Sequence, residues 1–222
     1  MKDTTIRSFE DLHQAVSTNN PGIVIYRGLK SVEYDLVPRL VREKLKAPDP
    51  LKDEQTMLRL FKEQAYQYVS DHNLNEWDWL ALAQHHGLPT RLMDWTRNPL
   101  VAAYFAVEEE HDGDSVIWVY AETHFINTVS YPDPLERKEV GRFIPNHVTR
   151  RITAQAGLFT FHPDWELPFE SPELSRMIIR NKNGFRRQLK KTLFTYGVHR
   201  ASLFPDLDGL AAHITWLRTS RH

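Results

Sequence analysis

The 222-residue chain has no cysteine. That excludes disulfides, thiolate nucleophiles and cysteine-ligated zinc together. No run approaches the ~18 consecutive apolar residues that a membrane-spanning helix requires. The opening, MKDTTIRSFEDLHQA, lacks the apolar stretch of a secretion signal. The expectation is a cytoplasmic chain that does not associate with membranes. An excess of one charge is missing too: 28 Lys and Arg stand against 29 Asp and Glu, so the overall balance favours neither a polyanion nor a membrane surface as partner. No internal repeat or low-complexity tract interrupts the chain. The chemistry left open is that of carboxylates, histidines, hydroxyls and arginines.

Apolar side chains are plentiful. They make up 41% of the sequence, with six Trp and eleven Phe, enough to fill the core of one domain spanning residues 1–222. Phe9 to Ala15 reads as a short helix capped by Ser8, with Asp11 in the capping-box position. Asn19, Asn20, Pro21 and Gly22 mark a turn. The continuous β-branched run Ile23, Val24, Ile25, Tyr26 then reads as a buried strand that delivers Arg27 and Gly28 at its end. Apolar residues recur at helical spacing from Leu51 to Val69, and a second helix covers Trp77 to His85, ended by Gly87. Thr90 to Asp94 runs as a short strand or turn. Asn98 followed by Pro99 opens a third helix through Ala106. Ser115 to Ala121 is the second strong strand. Phe143 to Pro145 and Ile152 to Phe161 are weaker strand candidates, the latter interrupted by Gly157. Met177 to Ile179 is a further strand candidate, Gln188 to Tyr196 a helix ended by Gly197, and Ala201 to Trp216 holds a turn and a last helix. Two helical segments fall between the two strong strands. That argues against regular βαβ winding and for an α+β sheet core with a helical insertion at about residues 51–86.

Polar residues concentrate in QHHGLPTRLMDWTRNP, residues 84–99, beside the start of the third helix, where free N–H groups suit an anion or a ribose. Arg27, leaving a strand beside a glycine, suits either a bidentate grip on phosphate or carboxylate or a salt bridge that closes the strand. Asp94 fits a hydrogen bond to Arg27 or to a sugar hydroxyl. Arg91 and Arg97 read as solvated, Tyr104 and Phe105 as core, and Glu108 to Glu110 as a solvated acidic face. His85 and His86 lie about 100° apart on a helix and so do not chelate one metal together. No HExxH occurs. His86, next to Gly87, is placed to touch a ligand. Gln155, on or just before a strand, fits a ribose contact or an ordinary buried hydrogen bond.

The strings IVIYRGL, LALAQHHGLPTRLMDWTRNPLVAAYFA, ITAQAGLF and SLFPDLDGLA resemble, in order and spacing, the FRG-domain family of bacteria, over about residues 20–215. Tyr26-Arg27-Gly28, the stretch Thr90 to Thr96 leading into Ala102 to Ala106, and Gln155 are further similar to the three spaced signatures of ADP-ribosyltransferases. This resemblance implies a split-sheet core of that type with the helical insertion. It implies NAD as the substrate, bound by Tyr26, Arg27, Gly28, His86, Thr90 and Thr96, with Arg27, Asp94 and Gln155 as catalytic residues and no metal. It implies a bacterial toxin or anti-phage effector with a protein or nucleic-acid acceptor and a partner antitoxin. Two departures bear on it. Asp-Trp-Thr replaces a Ser-Thr-Ser run, and Gln155 stands where a carboxylate is expected. A nucleotide- or nucleic-acid-binding module without chemistry and an NAD glycohydrolase are the alternatives.

Overall fold

The computed structural model describes residues 2–20, 22–43, 50–69, 73–121, 123–145 and 149–219. Pro21, part of the expected turn, lies outside them. In chain order the elements are β1 (Lys2–Ile6), α1 (Phe9–Ser17), β2 (Val24–Leu29), α2 (Arg39–Arg42), α3 (Pro50–Ala65), α4 (Glu76–His85), β3 (Leu92–Thr96), α5 (Pro99–Val107), β4 (Ser115–Ala121), β5 (Gly141–Phe143), α6 (Arg150–Ala154), β6 (Gly157–Phe161), β7 (Leu174–Ile179), α7 (Phe185–Thr195), α8 (Arg200–Leu203) and α9 (Leu207–Thr219). Short 3₁₀ turns cover Tyr66–Tyr68 and Pro134–Glu136.

The caps form as the sequence implies. The Ser8 side chain accepts from the backbone N–H of Asp11, and Asn98 accepts from that of Leu100. Gly87 and Gly197 have φ of +87° and +78°, so each ends its helix in the left-handed region that a side chain resists. Two readings are corrected. Residues 152–154, at the start of the expected strand, are helical as part of α6, and Gly157 begins β6 rather than interrupting it. The Thr149 side chain accepts from the backbone N–H of Ile152, and this cap draws the segment into a turn of helix despite its β-branched residues. The edge strand β1 has no strong apolar run, because it pairs on one side alone, parallel to β7.

The fold is mixed α+β, with one sheet ordered β1-β7-β4-β2-β3-β6-β5 and antiparallel everywhere except between β1 and β7. Period-2 alternation sends Val24, Tyr26, Ile117 and Val119 to one face, beneath α1, α5 and α7, and Ile25, Val116, Trp118 and Tyr120 to the other. Both faces of β4 are covered, which is why Ser115–Ala121 reads as an unbroken apolar run.

The joins within the sheet are unequal. β2 and β4 match over six residue pairs, whereas β2 and β3 share one, Tyr26 with Thr96. The sheet is therefore nearly parted into a β1-β7-β4-β2 portion and a β3-β6-β5 portion. A third core, with Trp77, Leu80, Phe143 and Phe161, lies under the second portion and joins it to α3 and α4.

Two contacts hold the parts together. Gly28 lies so close to α5 that a Cβ there would fall 1.9 Å from the carbonyl oxygen of Ala102. Arg91, expected in solvent, is 4% exposed. Its Nε donates to both oxygens of Glu54 on α3, at 3.1 and 2.8 Å, its Nη2 reaches the same carboxylate, and Glu54 is 2% exposed. The pair takes two charges out of water and satisfies them mutually, so its removal by halves leaves an uncompensated buried ion.

Gly28→Ala is expected to cost about 3 kcal/mol or more, since backbone must move to admit the methyl. Glu54→Gln is expected to cost about 3–5 kcal/mol by leaving the Arg91 charge without its counter-ion. Urea unfolding followed by tryptophan fluorescence measures both.

Candidate functional site

The seam between β2 and β3 opens into a cleft of about 1240 Å³, larger than the ~300–1,000 Å³ usual for drug-sized ligands. Tyr26 to Leu29 line one wall and Asp94 to Thr96 the other. His85, His86 and Gly87 from the end of α4, Arg39 and Arg42 from α2, and Arg151 and Gln155 from around α6 close it.

Arg27 lies within β2 rather than at its end, and the register of the strand turns it away from α5 and toward the cleft. Its Nη1 donates to the carbonyl oxygen of Asp94 at 2.6 Å and lies 3.6 Å from Oδ2 of the same residue. The guanidinium side chain is 15% exposed and the carboxylate 60%, so the arginine forms the floor and the aspartate faces the opening. Burial lowers the pKa of Arg27 and the charge of Asp94 raises it, while Arg42 opposes protonation. An arginine remains cationic under such influences. Two guanidinium groups that repel one another across an open cleft form a place where an anion is stabilised.

Asp94 is held from the side as well. Nε2 of Gln84 donates to its Oδ2 at 2.9 Å, and the hydroxyl of Thr90 donates to Oε1 of Gln84 at 2.8 Å. Thr90 is 1% exposed and does not line the cleft, so it supports the Gln84 amide and is not a ligand contact. Tyr26 is among the cleft lining, yet most of it is buried. Its ring is 4% exposed in the core, and its hydroxyl accepts from Nδ2 of Asn19 at 2.9 Å. Gly28 serves the approach of α5. The hydroxyl of Thr96 donates to the backbone oxygen of Gln155 at 2.6 Å and accepts from the N–H of Asn98. Gln155 is thereby brought to the cleft as the C-cap of α6, just before β6, and its Nε2 donates to the Leu203 carbonyl at 3.1 Å. His86 reaches the cleft, its ring edge-on to His85 at 4.9 Å between centroids. No group of three metal-ligating side chains occurs among the described residues.

Several cleft residues escaped the sequence reading. Gln84 carries no signal of its own within its motif, His85 is weighed there only as a metal ligand, and Arg42 and Arg151 lie outside the family-like strings. Glu108, read as solvated, accepts from the Tyr104 hydroxyl at 3.2 Å and pairs with Arg200. The signal present was its position four residues beyond Tyr104 on one helix face.

Burial lowers the pKa of His85 to about 4, helped by the nearby charges of His86 and Arg151 and opposed by Asp94 and Asp206. His162, directly after β6, is pushed to about 3 by burial and by Arg27. Hydrogen bonding agrees for His162: the Thr160 hydroxyl accepts from Trp95 Nε1 at 2.7 Å and has its own proton to give to Nε2 of His162, also at 2.7 Å. A doubly protonated ring cannot accept it.

Both imidazoles are neutral in the fold at a pH where an unfolded histidine, with its ordinary value of 6.5, takes up a proton. The unfolded state therefore binds more protons as the pH falls from about 6.5 toward about 4 and then 3, and stability declines across that window. The melting temperature is expected to be flat in histidine terms above pH 7 and to drop on acidification. His162→Gln should show a shallower drop in calorimetry from pH 7 to 4.

Comparison with curated proteins and with solved structures returns no match. The family model of the FRG domain matches residues 22–115, a stretch that contains Arg27, Gln84, His86 and Asp94 and stops short of Arg151 and Gln155. No helix among the described residues is long and apolar enough to cross a membrane. The aromatic-Arg-Gly strand and the Gln84-to-Asp94 wall both lie inside the stretch that is similar to the FRG-domain family.

Proposed function

We propose that the cleft binds NAD and that the protein transfers its ADP-ribosyl group to a macromolecular acceptor. The observation that carries the reading is the meeting of Arg27 and Asp94, 67 residues apart in sequence, in one cleft of nucleotide size. The ADP-ribosyltransferase likeness of Tyr26-Arg27-Gly28 and of the segment around Asp94 supports it.

In this reading Arg27, fixed on the floor, grips a phosphate oxygen of the dinucleotide. The bond between the ribose C1′ and the nicotinamide nitrogen breaks, and nicotinamide leaves with the electron pair. The positive charge that develops on the ribosyl centre is stabilised by the Asp94 carboxylate, which the Gln84 amide holds in place. A nucleophile of the acceptor then bonds to C1′ and loses its proton to solvent or to a neutral base. His85, uncharged at neutral pH beside Asp94, fits that last role by charge state. Gln155 has no carboxylate, so the anionic part falls to Asp94, the cleft carboxylate beside Arg27. Its amide nitrogen holds the Leu203 carbonyl, which makes it a positioning residue of the cleft wall. A toxin or anti-phage effector with a cognate antitoxin remains part of this proposal through family resemblance.

A second reading has a specific observation behind it. Asp94 lies close to Arg27 and its carboxylate is already engaged by Gln84, an arrangement that also suits a cleft holding a nucleotide without turning it over. Hydrolysis, with water in place of the acceptor, is the third outcome.

Nicotinamide release from NAD, measured with and without candidate acceptors, separates the three. Arg27→Ala and Asp94→Asn are each expected to lower release by about 100-fold or more, Arg27→Ala mainly through binding and Asp94→Asn mainly through kcat. Acceptor-independent release would replace transfer by hydrolysis. NAD binding without release would leave a binding module, and no NAD binding would end the reading.

A further inference from the structure

The string SLFPDLDG takes no part in the chemistry above, yet its residues form a rigid structure at the edge of the cleft. Gly209 sits against Phe204 so tightly that a Cβ there would fall 2.0 Å from the Phe204 carbonyl oxygen, and Oδ1 of Asp206 accepts from the Gly209 N–H at 2.7 Å. The Gln155 amide binds the preceding carbonyl of Leu203 and ties this turn to the end of α6. The Phe204 ring is consequently fixed and buried.

Two guanidinium groups lie against that one ring, Arg200 at 4.0 Å and Arg151 at 4.4 Å from its centroid. They are compensated differently. Arg200 pairs with the carboxylate of Glu108, whereas Arg151 has no hydrogen-bond or ion-pair partner among the described residues. Arg151 is half-buried, lines the cleft, and shares the field of Asp94 with Arg27. A guanidinium drawn partly out of water, with the carboxylates of Asp94, Asp206 and Glu108 nearby but none bonded to it, gains when an anion reaches its free donors. Stacking on a fixed ring holds its planar fork in place, so little entropy is lost when it binds.

We propose that Arg151 is an anchor for a phosphate group of a nucleotide ligand in this cleft, and that SLFPDLDG exists to hold it there. This rests on the nucleotide reading of the cleft but not on the transfer chemistry. Nucleotides and nucleic-acid backbones share the phosphate group; the mixed charge of the cleft, with Glu33, Asp35, Glu108 and Glu166 among its lining, favours a small nucleotide over a long polyanion.

The test is calorimetric titration of ADP, NAD, adenosine and a single-stranded oligonucleotide into wild type, Arg151→Gln, Arg151→Lys and Arg97→Gln. The last removes an equal charge from an exposed position outside the cleft. Arg151→Gln is expected to weaken ADP and NAD about tenfold or more, the worth of a charged hydrogen bond, and to leave adenosine unchanged. Arg97→Gln should bind like wild type, and Arg151→Lys should fall between. Should Arg151→Gln melt early, the Lys variant decides, with wild-type ADP affinity counting against the anchor. Unchanged ADP affinity in Arg151→Gln, or an equal loss for adenosine, would overturn the proposal, and a loss confined to the oligonucleotide would overturn the nucleotide as its ligand. If ADP depends on Arg151 while NAD yields no nicotinamide, the anchor stands and the transfer reading falls. If nicotinamide release persists in Arg151→Gln with unchanged KM, the reverse holds.

Discussion

The contact between Arg27 and Asp94 is the one on which the rest of the cleft depends. β2 and β3 are joined by one ladder pair, and just beyond it the Arg27 guanidinium continues the join by donating to the Asp94 carbonyl. A side chain thus replaces backbone pairing where the strands diverge, and the same divergence opens the cleft. The arrangement has two consequences. It keeps a cation at the floor of a concave surface, and it fixes the strand from which the Asp94 carboxylate projects.

Around that contact the supports form a hierarchy. Thr90 orients Gln84, and Gln84 orients Asp94. Arg91, one residue beyond Thr90, is bound to Glu54, so the wall that carries Asp94 is tied to the helix α3 by a buried ion pair. On the other side Thr96 holds the backbone of Gln155, whose amide holds Leu203 beside the Phe204 platform. Many polar residues singled out by the sequence therefore hold other residues in place and do not face the cleft. Such supporting bonds give a site its precision, because a group that must meet a ligand cannot also be free to wander.

The electrostatics are local. A chain whose charges nearly cancel still gathers Arg27, Arg42 and Arg151 at one cleft, with Asp94 among them and other carboxylates at the rim. Net charge integrates over the whole surface, whereas a ligand meets the few groups within reach of it.

Much of the architecture was legible in residue order. Ser8, Asn98, Gly87 and Gly197 cap or end helices through short-range bonds and backbone freedom that their own neighbours specify, and the apolar run at 115–121 announced a strand covered on both faces. The similarity to the FRG-domain family was legible in the same way, from contiguous strings. The sequence did not reveal which polar groups face outward. Gln155, just before β6, also caps a turn of helix, because a threonine six residues earlier accepts from the backbone N–H of Ile152. Arg91 changes from solvated to buried because Glu54, 37 residues away, comes to meet it. Arg151 acquires its place through a phenylalanine in another motif altogether. Local sequence determined the elements, since their forces act within a few residues. Tertiary structure decided the cleft, since burial, pairing and charge compensation depend on which distant segments the fold brings into contact.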